Sequence, residues 1–126
     1  QDLIKPELFE FCQEAQVTCS MTDCWAVRYQ KGDQQTIHNH KSWGFTGILY
    51  VEYDPKVHTP TCFVAPWQDP RSDTTSLAYP LNVKEGTIFI SPSYTLHFVH
   101  PNQVRKHRTI ISFDLLPKLP DHQAVD

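Results

Sequence analysis

The chain of 126 residues carries 11 basic and 14 acidic side chains, a formal net charge of −3 with histidine neutral. A single domain of this length buries a real core, and its mild acidity offers no basic stripe for nucleic acid, so an enzyme or small-molecule binder is the better reading. No apolar run approaches the roughly 18 residues needed to cross a bilayer, and no charged-then-apolar leader opens the chain, so a cytoplasmic protein with no membrane partner is expected. The start at Gln1 rather than Met leaves a trimmed leader open. Cys12, Cys19, Cys24 and Cys62 make no CxxC pair and are read as free, partly buried thiols, ahead of a disulfide framework or a zinc-thiolate site.

Pro6 and Glu7 place a proline and an acid in the first turn of a helix, along one face of which fall Ile4, Leu8, Phe11 or Cys12, and Ala15. From Trp25 on, the texture changes to short β-rich runs at 25–30, 35–40, 46–53, 61–65, 81–83, 87–91 and 108–116, separated by Gly, Pro and Asp turns. That punctuation, without a second helical pattern, predicts an all-β antiparallel sandwich or barrel. The chain thus divides into a helical lead-in over 1–24, a β core over 25–116 and a tail over 117–126. The stretch 66–76 is too polar and turn-rich for a strand and reads either as a lid or binding loop or as a plain surface excursion. The tail after Pro117 is expected to fray, and its His122 is assigned no function.

Chemistry concentrates in the histidines. If residues 35–40 are extended, as the β-branched Thr36 and Ile37 suggest, the period of two puts His38 and His40 on one face of one strand. His97 follows the strand-like run 87–90 and a Pro92-Ser93 turn, so a paired strand brings a third imidazole to the same spot. Three neutral imidazoles suit iron, zinc, copper, nickel or manganese; the plainer alternative is a set of surface histidines on a solvent-facing strand. On 108–116, Arg108, Ile110, Ser112 and Asp114 share one strand face, and Thr109, Ile111, Phe113 and Leu115 form the apolar other. Arg108 then looks either into a polar cavity or out to water. His100 reads as a turn or surface residue, and His58 and His107 carry no convergent signal. There is no GxSxG elbow, no P-loop and no cysteine in an activating motif, and Glu52, Asp54 and Glu85 are scattered acids.

Gly32, five residues and then His38-Asn39-His40 resembles the first signature of the cupin superfamily; Gly86, five residues, Pro92 and then His97 resembles the second. That resemblance implies a small double-stranded β-helix, a jelly roll, whose signatures give three His and one Glu to a metal. Here 41–45 holds no carboxylate, and Tyr94 stands where a Gly is usual. A second resemblance covers 25–116, through Trp25-Ala26-Val27-Arg28-Tyr29-Gln30-Lys31-Gly32-Asp33, His38-Asn39-His40, Gly47-Ile48-Leu49-Tyr50-Val51, Lys84-Glu85-Gly86-Thr87-Ile88-Phe89, Pro92-Ser93, Leu96-His97-Phe98-Val99-His100-Pro101 and Arg108-Thr109-Ile110-Ile111-Ser112-Phe113. These segments resemble the 2-oxoglutarate- and iron(II)-dependent oxygenases of the prolyl-hydroxylase-like group, also double-stranded β-helices.

The second resemblance implies an enzyme that uses Fe(II) and 2-oxoglutarate to hydroxylate a C–H bond of a small-molecule or peptidyl substrate. It makes His38 and His97 iron ligands and Arg108, eleven residues past His97, the partner of the distal carboxylate of 2-oxoglutarate. Tyr29 takes the place of a tyrosine that hydrogen-bonds the co-substrate, and Ser112, on the strand face of Arg108, is grouped with them; a core tyrosine is the plainer reading of Tyr29. The family pattern has an acid where this chain has His40. Either His40 is itself a ligand, which its spacing from His38 favours, or Asp33 or water fills the position. Trp43, Phe45, Tyr50 and Trp67 are candidates for shielding the site or for an ordinary core. Two other readings stay open: a cupin-type enzyme that uses a three-His metal without a keto-acid, and a non-catalytic binding module whose His cluster is empty or holds structural zinc. A homodimer is an open option.

Overall fold

The computed structural model describes residues 5–15, 18–68, 71 and 75–118. Helix α1 (Lys5–Ala15) leads, followed by β1 (Cys19–Tyr29), β2 (Gln35–His38), β3 (Phe45–Glu52), β4 (Cys62–Gln68), β5 (Thr75–Ala78), β6 (Ile88–Pro92), β7 (His97–Val99) and β8 (Arg108–Pro117). The strands form two four-stranded antiparallel sheets, ordered β1-β8-β3-β6 and β2-β7-β4-β5. This is the jelly-roll arrangement of a double-stranded β-helix with a short N-terminal helix, as the sequence predicts. No helix among the described residues is long and apolar enough to cross a membrane.

Strand β8 organises the interior because both of its faces are covered. Arg108, Ile110, Ser112 and Asp114 look into the space between the sheets, where Ile110 packs with Tyr29, Ile48, Tyr50, Tyr53, Phe63, Val83 and Val99. Phe113 and Leu115 point the other way, onto Leu8 and Phe11 of α1 and onto Phe45, Leu49, Ile88 and Ile90. The Phe11 and Phe45 rings meet edge to face, 5.2 Å between centroids. The two-residue period of β8 therefore separates a polar, functional side from the side that docks the helix.

Several boundaries differ from the sequence reading, and pairing explains them. β1 begins at Cys19 rather than Trp25, because its first half finds register with the end of β8, Cys19 opposite Pro117. Residues 66–68 and 75–76, expected in a loop, extend β4 and open β5, with Gln68 opposite Thr75 across the pair; backbone pairing overrides their weak strand propensity. The expected strand at 81–83 is a bend, with Asn82 at φ 58° and Leu81 85% exposed, and only Val83 turns into the core. Ile4, residues 69, 70 and 72–74 of the expected loop, and the tail with His122 lie outside the described residues.

The two signature glycines each make a turn that leads into a strand, Gly32 into β2, which bears His38, and Gly86 into β6, which precedes the His97 strand β7. Gly32 has φ +92° in the turn closed by Asp33 N–H to the Gln30 carbonyl, 3.0 Å, ahead of β2. Gly86 has φ +90° beside the turn closed by Thr87 N–H to the Lys84 carbonyl, 3.0 Å, ahead of β6. That left-handed backbone is strained for any residue with a Cβ.

Candidate metal centre

His38 and His97 are brought together by the β2–β7 pairing, in which they stand directly opposite one another. Opposed residues of an antiparallel pair share a face, and this pair points inward. His40 arrives differently from the expectation of a continuous strand: β2 stops at His38, and the His40 N–H donates to the Ser93 carbonyl at 3.0 Å, so a loop rather than the strand period delivers it. The three rings nevertheless converge, with centroids 4.3 to 5.4 Å apart, and one nitrogen from each lies within 4.8 Å of the others.

All three Nδ1 atoms are already engaged. His38 Nδ1 bonds the Thr36 carbonyl at 2.8 Å and His97 Nδ1 the Thr95 carbonyl at 3.0 Å. His40 Nδ1 meets Asp114 Oδ1 at 2.9 Å. Each Nδ1 donates its proton outward, which leaves three Nε2 lone pairs directed at a common point; this is the usual support of metal-binding imidazoles. Burial pushes the His97 pKa down to about 4, so its ring is neutral at ordinary pH. The donor set fits a divalent transition ion and does not by itself select iron over zinc, nickel or copper. Asp33, the alternative ligand, is committed elsewhere: its carboxylate caps the Gln30 N–H at 2.9 Å in the turn before β2.

Arg108 is 2% exposed. Its guanidinium lies over the rings of Tyr29, Tyr50 and Tyr53 at 5.2, 5.5 and 5.8 Å. Nε donates to the Thr59 carbonyl at 3.0 Å and Nη2 to Thr61 Oγ1 at 3.3 Å, while Nη1 is buried without a partner. Burial holds its pKa below the ordinary arginine value, and no carboxylate of the described residues pairs with it. Three aromatic faces offset part of the desolvation cost; the orphaned Nη1 remains, and such an atom costs about 1–3 kcal/mol or more.

Beside the histidines lies a cavity of about 50 Å³, lined by Trp25, Tyr29, His38, His40, Thr61, His97 and Ser112 among others. Thr61 and Tyr29 connect it to Arg108, since both touch the guanidinium. Of the sequence-predicted site residues, His38, His40, His97, Tyr29 and Ser112 therefore line one inter-sheet cavity, whereas Arg108 stands behind Tyr29 and Thr61 and lines a separate pocket with Val57, His58, Thr59 and His100. A wider open groove, about 360 Å³, runs along Leu8, Phe9, Cys12 and Cys19 on the helix side of the sheet, where no histidine converges. Burial, with Cys12 beside it, pushes the Cys19 thiol up to about 11, away from a nucleophilic role. All four cysteines are unpaired.

Other expectations are redistributed. Phe45 belongs to the helix-side core and Tyr50 to the cage around Arg108, so neither shields the histidines; the Trp67 side chain lies outside what is described. Trp25 does shield them: its ring stacks on His40 at 5.6 Å, 21° from parallel. His58 is a buried structural residue, accepting the Asp54 N–H on Nδ1 and donating from Nε2 to the Lys106 carbonyl. Asp114 escaped the sequence reading as a site residue, although its place on the Arg108–Ser112 face of β8 was the available signal.

The family model described as "Putative 2OG-Fe(II) oxygenase" matches residues 23–114. No protein with a curated description matches the chain in sequence. Among solved structures, the fold is shared with an oxidoreductase of the 2OG-Fe(II) oxygenase family from Burkholderia pseudomallei (14% identity, 88% of this chain and 51% of that one, TM-score 0.66). It is also shared with a Pseudomonas putida prolyl-4-hydroxylase (13% identity, 87% and 60%, TM-score 0.57). A third match is HygX from Streptomyces hygroscopicus, solved with nickel and 2-oxoglutarate bound (11% identity, 93% and 66%, TM-score 0.66). The chain thus spans about half of the first of these structures and 60% of the second. With the family model covering most of the jelly roll, and the histidine cluster and Arg108 inside the matched stretch, the chain belongs to the family of 2OG-Fe(II) oxygenases.

Proposed function

We propose that this chain is a 2-oxoglutarate- and iron(II)-dependent oxygenase that hydroxylates a C–H bond of a small-molecule or peptidyl substrate. His38, His40 and His97 hold the metal, Arg108 takes the distal carboxylate of 2-oxoglutarate, and Tyr29 and Ser112 line its path. The observation that carries this reading is a buried guanidinium with an unpartnered Nη1, packed against Tyr29 and bonded through Nη2 to Thr61, two residues that line the cavity of the three convergent imidazoles. A planar fork with a free donor is suited to a carboxylate, and bound at the histidines, iron(II) with 2-oxoglutarate supplies the oxygen-activating chemistry.

The chain's own residues do the rest. The carbonyls of Thr36 and Thr95 and the carboxylate of Asp114 fix the three rings so that Nε2 faces the cavity. Tyr29, Tyr50 and Tyr53 orient the guanidinium and keep water from it; Trp25 covers the outer side of His40. The net charge of −3 argues against a nucleic-acid substrate, and four unpaired thiols suit a reducing, cytoplasmic setting.

Anaerobic titration of Fe(II)-loaded protein with 2-oxoglutarate, followed by the visible charge-transfer band of a chelated keto-acid, tests the reading. The band should appear in the wild type and be lost in Arg108→Met, while Fe(II) still binds. Because Met removes a partly unsatisfied buried charge, R108M should melt no lower than the wild type by more than a few degrees. Bound iron without a band would leave a three-His enzyme that uses no keto-acid; no iron at all would leave a binding module.

A further inference from the structure

The three imidazoles are supported unequally. His38 and His97 donate to neutral backbone carbonyls, whereas His40 meets a carboxylate, Asp114 Oδ1, at 2.9 Å. Asp114 is 5% exposed, and among the described residues its one ion-pair partner is His40. A buried carboxylate without Lys or Arg is costly unless hydrogen bonds hold it, and here they do. The Thr46 hydroxyl, directly opposite Asp114 on β3, lies 3.1 Å from the same Oδ1 and 2.9 Å from Ser93 Oγ. Ser93 also receives the His40 N–H on its carbonyl, at 3.0 Å. Thr46 and Ser93 are 3% and 1% exposed. The backbone of residue 40, its ring and its carboxylate partner are thus locked into one buried network, with Trp25 stacked on the ring.

Position 40 is where a facial triad of two histidines and one carboxylate has its acid. We infer that Asp114 supplies that missing negative charge at one remove: it acts through the His40 imidazole, as a positioning residue that raises the ring's donor strength toward the metal. The inference rests on the reading of His38, His40 and His97 as metal ligands. It explains why a carboxylate is buried with a histidine as its partner, and why the substitution at 40 leaves the cluster no poorer in charge. Carboxylates that hydrogen-bond a ligating histidine commonly contribute 10–100-fold in metal affinity.

The test is competition of wild-type and variant protein against a chromophoric chelator for Fe(II), Co(II) and Zn(II), with the Co(II) visible spectrum as a second readout. Asp114→Asn keeps an acceptor oxygen for His40 and removes the charge. It should weaken Co(II) and Fe(II) binding by about 10–100-fold and shift the Co(II) bands, with the metal-free protein still folded. The reciprocal arm is a double-mutant cycle. His40→Ala removes the ring through which Asp114 acts, so in the H40A background D114N should no longer weaken Co(II) and Zn(II) binding.

Equal metal affinity and equal Co(II) spectra in wild type and D114N would overturn the inference, as would D114N weakening metal binding as much in the H40A background as in the wild type. Failure of the wild type to bind any of the three metals would overturn the His-cluster reading itself and remove Asp114 with it. Retention of metal by the wild type separates the two failures.

Discussion

His97 is the most enclosed of the three imidazoles, 6% exposed at the head of β7. Burial first, then the neighbouring histidine rings, lower its pKa from 6.5 in the unfolded chain to about 4. Between those values the unfolded state binds a proton that the folded state does not, so stability falls as pH falls through that window and is regained above about 6.5. The metal-free protein should therefore melt at progressively lower temperature from pH 7 to pH 4. His97→Gln should flatten that dependence; a pH profile unchanged by the substitution would show that His97 is not the group responsible. Arg108 illustrates the opposite balance at the same scale. Its unpaired Nη1 makes the core less stable than an apolar filling would, and 2-oxoglutarate with a redox-inert metal should raise the melting temperature of the wild type but not of R108M.

At the scale of elements, β8 and β3 carry the architecture and the loop after β2 carries the specificity of the site. Gly47 of β3 lies under the Phe113 ring of β8, where a Cβ would overlap Cζ and Cε2 of a side chain that is 1% exposed. Phe113 has the helix-side cluster around it and little room to move. Gly47→Ala should accordingly cost about 1–3 kcal/mol of stability in urea unfolding, with the histidines on the opposite side still able to bind metal. An unchanged midpoint would mean that the ring finds another rotamer. The loop is legible in a different way. Gly32 and Gly86 are turn glycines whose positions the two signatures anticipate, but the placement of His40 comes from hydrogen bonds to Ser93 and Asp114, far away in sequence.

For the whole molecule, the proposed metal would tie β2, the loop that follows it and β7 to one another, all belonging to or adjoining the sheet β2-β7-β4-β5. The other sheet shares the core between the sheets with it, and has a second core of its own with α1 on the far face of β8. Chelation should lower the overall melting temperature by mass action. It should also raise amide hydrogen exchange in 35–40 and 97–99 more than in β3 and β8. Uniform deprotection of both sheets would mean that the metal site is coupled to global unfolding instead.

By itself the sequence determined the fold class, the short helix, the pairing of Gly-led turns with histidines, and the polar face of β8. These depend on local periodicity and turn chemistry, which act over a few residues. It did not disclose β5, β7 or the first half of β1, because short strands owe their existence to partners whose register is set by the tertiary fold. The tertiary structure also decided that His40 leaves the strand, that Trp25 rather than Trp43 or Phe45 covers it, and that Asp114 stands behind it. His40 and Asp114 are 74 positions apart in the sequence, and Trp25 lies on a different strand from the one before His40. In a jelly roll the chain crosses between two sheets, so neighbours in the cavity are almost never neighbours in the sequence, and the balance of charge around the site is written across strands.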